Sequence, residues 1–246
     1  RLISVTDAAG NETSYEYTTA GKLVKIIGAD GNIQTYTVDG NGFTASESDC
    51  MGNITTYIRD TQNNVVAATD PLGNTTSYTY DSSGNLATTT DANGSITRYT
   101  YDAEGRMVSM TDARGNTWRY TYNKNGQLLS TTDPTGGIRS NSYNSVGRTV
   151  SGTDANGNTT TYAYDGVGNL TKITDALGKS TVSEYDANGN LTATTDRNGH
   201  TTRYAYDAEN RLIRMEDAEG STTSYTYDAN GRMTKTTSAM GAETSS

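Results

Sequence analysis

The sequence is poor in most of what an ordinary catalytic domain is built from. Among 246 residues there is one cysteine, one histidine, one tryptophan, one phenylalanine and two prolines. A lone Cys50 rules out a disulfide framework. It sits within a turn pattern with no histidine near it in sequence to activate the thiol. His200, with no second His or Cys to join it, leaves neither a nucleophilic triad nor a zinc site, and reads as an exposed turn residue. No apolar run approaches the ~18 residues of a membrane span, so no membrane insertion is expected. Leu, Ile, Val and Phe together make only 31 residues, well below the ~20% at which disorder becomes the default reading. Basic residues are scarce as well: 19 Lys and Arg face 28 Asp and Glu, for a net charge of −9. Nucleic-acid affinity rests on a basic face, and this chain has none, so no nucleic acid is expected as a partner.

What opposes disorder is register. The chain repeats every 21 residues without a slip, giving about 11.7 copies over residues 1–246, read as a single array. Counting Arg1 as phase 1, phase 10 is glycine in every copy, Gly73, Gly94, Gly115, Gly157 and Gly178 among them. All 18 tyrosines fall on two phases. Phase 15 carries Tyr78, Tyr99, Tyr120, Tyr162, Tyr204 and Tyr225; phase 17 carries Tyr80, Tyr101, Tyr122, Tyr164, Tyr206 and Tyr227. Of 19 aspartates, 18 open a turn at phase 7 or phase 18, as Asp91 and Asp102 do. The acidity is therefore turn chemistry.

Asp-x-x-Gly is the grammar of a type I turn, with the Asp side chain accepting from backbone and Gly leaving at positive φ. Pro71 and Pro134 stand at the second turn position, where a fixed φ is already correct. Between turns, Thr-x-Tyr-x-Tyr places both rings on one face of a strand, and Leu, Val or Met at phase 2 opens the other segment. Two short strands per copy joined by similar turns predict an all-β antiparallel hairpin meander, coiling because sheets twist. The rival is a parallel solenoid of one coil per copy, with equal phases stacked directly.

Tyr80-Asp81-Ser82-Ser83-Gly84, Tyr101-Asp102-Ala103-Glu104-Gly105 and Tyr206-Asp207-Ala208-Glu209-Asn210 resemble the Tyr-Asp repeats of the RHS/YD-repeat family. The resemblance covers essentially the whole chain. It implies a strip of β-hairpins spiralling into a hollow shell or tube. In bacterial toxin complexes and polymorphic toxins such shells enclose a C-terminal toxin domain; in teneurin-like surface proteins they form a stalk-borne barrel. Some members carry an aspartyl self-cleavage module with two closely spaced Asp-Pro-x-Gly motifs. Here Asp70-Pro71-Leu72-Gly73 and Asp133-Pro134-Thr135-Gly136 stand three periods apart, as ordinary turns do.

The tyrosine rows read as structural packing, with a carbohydrate-stacking surface as the alternative; Trp118 and Phe43 are single departures that mark local contacts. One carboxylate per turn is too few for tight calcium. Sequons such as Asn74-Thr75-Thr76 and Asn158-Thr159-Thr160 fall out of the repeat grammar. The expectation is a non-enzymatic scaffold without cofactor or metal, part of a longer secreted or surface bacterial protein. Its partners are adjoining repeats of the same or neighbouring copies, with an enclosed toxin domain and surface glycans as further candidates. A cargo shell leads; an extracellular filament follows, favoured by a period constant enough for uniform curvature.

Overall fold

A computed structural model describes residues 1–245. Strands and turns alternate throughout, and no helix occurs among the described residues. The chain divides into two compact units, Arg1–Tyr120 and Thr121–Ser246.

In the first unit, consecutive strands pair antiparallel. Strand Val65–Thr69 meets Thr75–Tyr80 with Ala67 opposite Ser77, and Thr75–Tyr80 meets Leu86–Thr90 with Tyr78 opposite Thr89. The second unit repeats the arrangement: Ser151 stands opposite Thr161 and Tyr162 opposite Ile173. The parallel solenoid is overturned by this register. Two chain reversals per copy place strands of different phase beside one another, so equal phases never stack.

The reversals follow from the turn sequence. At Asp70–Gly73 the glycine N–H donates to the Asp70 carbonyl at 3.0 Å, and the Asp70 N–H donates to the Asn74 carbonyl at 2.9 Å. That is a type I turn completed by one residue in the left-handed region, and Gly73 has φ of 84°. Where the pattern offers asparagine instead, Asn63 and Asn210 take φ of 67° and 62°, the conformation Asn tolerates best after glycine. Hairpins that turn at phase 18 carry a bulge. Thr79 pairs with Thr88 but Tyr80 with Leu86, leaving Ala87 as the additional residue.

Among the described residues neither unit forms a closed interior. Ala193, 3% exposed, is the one buried hydrophobic residue among those described. Stability comes from lateral, strand-to-strand contact within each unit.

Candidate functional site

The tyrosine rows lie where the alternation of a strand puts them. In Thr75–Tyr80, Thr76, Tyr78 and Tyr80 are half-buried, while Thr75, Ser77 and Thr79 are exposed. The same half-buried position holds for Tyr99, Tyr101, Tyr120, Tyr122, Tyr162, Tyr164, Tyr204, Tyr206, Tyr225 and Tyr227. Each ring has a defined cross-strand neighbour. Tyr99 stands opposite Met110, which stands opposite Trp118, so the tryptophan continues the ring face. Tyr80 stands opposite Leu86 across the bulge, and Tyr164 opposite Leu170, which gives the phase-2 aliphatics their place.

The phase-17 tyrosines do more than cover surface. Tyr80 Oη donates to the Val65 carbonyl at 2.8 Å, Tyr164 to that of Thr149 at 2.9 Å, and Tyr227 to that of Leu212 at 2.7 Å. Tyr17, Tyr143 and Tyr185 do the same to Leu2, Leu128 and Leu170. In every case the acceptor is fifteen residues earlier, at the open end of a hairpin whose other end is the phase-7 turn. One side chain thus ties three strands: it packs beside the strand after it and bonds to the strand before it.

The opposite face is a second periodic surface that the tyrosine count alone does not reveal. Thr79 shares a hydrogen bond with Thr88 at 2.7 Å, Thr69 with Thr75 at 2.8 Å, and Ser142 with Ser151 at 2.6 Å. Hydroxyl pairs of this kind add a few tenths of a kcal/mol up to ~1 kcal/mol each. The signal in the sequence is the alternation of Thr and Ser in both strands of a copy.

The turn aspartates brace their own turns through Oδ1. Asp70 Oδ1 accepts from the N–H of Leu72 at 2.9 Å and of Asn74 at 2.8 Å, and Oδ2 accepts from Asn74 Nδ2 at 2.8 Å. The Asn74 side chain, then its backbone N–H, holds the Asp70 carboxyl below its ordinary value. Asp91 accepts likewise from Asn93 and Ser95, and Asp102 from Glu104 and Arg106. The residue after the glycine is therefore a working part of the turn, legible in the recurrent Asp-x-x-Gly-Asn. Gly94, Gly115, Gly157 and Gly178 occupy the same left-handed position as Gly73. Both Asp-Pro-x-Gly segments are turns of this type, with Gly73 and Gly136 each donating at 3.0 Å to Asp70 and Asp133. His200 Nδ1 sits 3.3 Å from Asp196 Oδ2 in an exposed turn, and Cys50 is exposed.

Neighbouring copies are also joined along the turns. Gln127 Nε2 donates to the Gly147 carbonyl at 2.7 Å and Asn190 Nδ2 to Asn210 Oδ1 at 2.8 Å. The Arg211 guanidinium lies 5.0 Å from the centre of the Tyr227 ring. What this geometry can do chemically is hold a register: each bond repeats the strand order and leaves both faces in contact with water.

The RHS Repeat family model matches residues 1–33, 38–75, 59–96, 80–117, 101–138, 143–180, 185–221 and 206–243. No curated protein matches the chain in sequence. Among solved structures, the crystal structure of TcdB2-TccC3-TEV aligns over 96% of this chain and 14% of its own, at 17% identity and a TM-score of 0.67. A structure of the Photorhabdus luminescens Tc holotoxin pore aligns over 98% of this chain and 18% of its own, at 16% identity and a TM-score of 0.47. The chain therefore spans a small fraction of the length of the solved proteins it resembles.

Proposed function

The chain belongs to the RHS-repeat family, and from that premise we propose that its structural scaffold is a length of β wall in a secreted or surface bacterial protein, enclosing a C-terminal toxin domain. The observation that carries the reading is the missing interior. Units that bury almost no side chain completely and commit their side chains to their own strand order are suited to partition space. The fold shared with TcdB2-TccC3-TEV is consistent with such a wall. Apolar residues at turn tips, Leu72 at 86% exposure and Leu177 at 85%, fit a role for the margins in meeting adjoining repeats.

An extracellular filament is the second reading. Phase-10 glycines keep their left-handed φ from Gly10 to Gly241, and a turn that recurs in every copy favours uniform extension. Electron microscopy of the complete parent protein separates the two. A hollow particle with a protease-resistant C-terminal domain is expected; fibres with a protease-accessible C-terminus would overturn the shell and favour the filament.

A further inference from the structure

Two consecutive copies break the tyrosine rule at phase 17, with Val38 and Arg59 in place of the ring. Both departures line one cavity of about 410 Å³, together with Lys22, Leu23, Tyr36 and Phe43. Val38 leaves unfilled the volume that a tyrosine occupies in other copies. Arg59 preserves the strand tie that the tyrosine makes elsewhere. Its Nη2 donates to the Thr44 carbonyl at 3.4 Å, the same fifteen-residue reach, and Nη1 donates to the Asn63 carbonyl at 3.0 Å. The tie survives, but a positive charge has been added.

That charge is not neutralised by direct contact with a carboxylate. The Arg59 guanidinium lies 5.4 Å from the centre of the Phe43 ring and the Lys22 ammonium 5.8 Å from the same centre. Neither forms an ion pair among the described residues, whereas Arg106 and Arg211 each lie 2.7 Å from an aspartate of their own turn. The aspartates of the adjoining turns, Asp39 and Asp60, each spend an oxygen on two amides of their own turn. Arg59 Nε is buried and has no acceptor. A buried donor left unpaired is costly, and backbone carbonyls satisfy N–H groups without neutralising a cation. In a chain with an excess of acids, two cations beside one aromatic ring and an open cavity lack an anion.

We propose that this cavity is a binding site for a carboxylate carried on an apolar body, with Arg59 and Lys22 taking the carboxylate and Phe43, Leu23 and Val38 covering the apolar part. Guanidinium retains free N–H groups beyond those given to the two carbonyls and is suited to planar oxyanions.

The test uses the whole chain, labelled for NMR at arginine and phenylalanine side chains, titrated with N-acetylphenylalanine, its neutral amide and inorganic phosphate. Saturable shifts at Arg59 and Phe43 are expected with the acid and not with the amide or phosphate. Arg59→Tyr and Val38→Tyr restore the residue that other copies use, so both variants should unfold no more easily than the parent while binding the acid at least about tenfold more weakly. Equal binding of acid and amide, equal binding of phosphate, unchanged acid affinity in either variant, or no saturable shift at ~10 mM ligand each overturns the site.

Discussion

The Tyr80 hydroxyl lies 2.8 Å from the Val65 carbonyl, fifteen residues back along the chain. It closes the end of a hairpin that has no turn to close it. Tyr80→Phe keeps the ring and deletes the bond, so a loss of ~0.5–1.5 kcal/mol is expected. Urea unfolding should show a lower midpoint, with faster amide exchange in Val65–Thr69. A variant indistinguishable from the parent in both would leave the bond without a stabilising role.

Rings matter beyond their hydroxyls. Replacing Tyr99 and Tyr101 together by Ser removes the neighbours of Met110 and Met107. Because repeat stability is shared through adjacent interfaces, protease sensitivity should spread from Ile96–Tyr101 into the flanking strands. Unchanged resistance combined with weaker glycan binding would instead mark the tyrosine face as a sugar platform.

Position 73 and position 63 test backbone conformation with opposite expected signs. Gly73→Val forces a β-branched residue to φ of 84° and should destabilise by ~1–2 kcal/mol. Asn63→Gly, at φ of 67°, should unfold at the parent's midpoint or slightly above it. Equal effects in calorimetry would contradict the turn assignment.

Acid should loosen the array from its turns. Asp49, Asp70, Asp81 and Asp154 are held below the ordinary value of 3.8, first by the asparagine side chain four residues on and then by that residue's N–H. A carboxylate lowered on folding contributes stability that is complete above the unfolded value and is lost as pH falls through the folded one. Melting temperature should therefore stay level above pH 5 and decline below about pH 4. Asn74→Ala should raise the Asp70 value, as read by carboxyl carbon NMR titration.

At high pH one tyrosine should stand apart. Tyr57 Oη donates to Glu47 Oε1 at 2.5 Å, and that bond, followed by burial and the carboxylate's charge, pushes the phenol up to about 12 from 10.0. Its contribution is present below the unfolded value and lost as pH rises through the folded one. Absorbance titration of the parent against Tyr57→Phe should assign the last ionisation to Tyr57. Glu47→Gln should bring that ionisation down toward 10.0.

Much of the architecture is open to inspection in the sequence because its causes are local. Gly73 and Asp70 define a turn within five residues, and Tyr78 and Tyr80 define a face within three. The fifteen-residue tie from Tyr80 to Val65 is not legible there, since it depends on the register of Val65–Thr69 against Thr75–Tyr80. The hydroxyl pairs are hidden for another reason: Thr79 and Thr88 look like generic strand formers until register sets them face to face. Phe43 is recognisable as a departure, but the two cations beside it become visible only when copies are laid next to one another.

The 21-residue period makes the array tolerant of whole-unit length changes and intolerant of single insertions within its strands. Duplication or excision of a whole 21-residue unit leaves each remaining strand with the neighbours it already had. One amino acid inserted within Thr75–Tyr80 would exchange the two sides of the strand from that point on, delivering phenols to the threonine surface and threonines to the phenol surface. Such a chain can be lengthened or shortened in whole steps, while a single-residue insertion in a strand costs it the register of that strand.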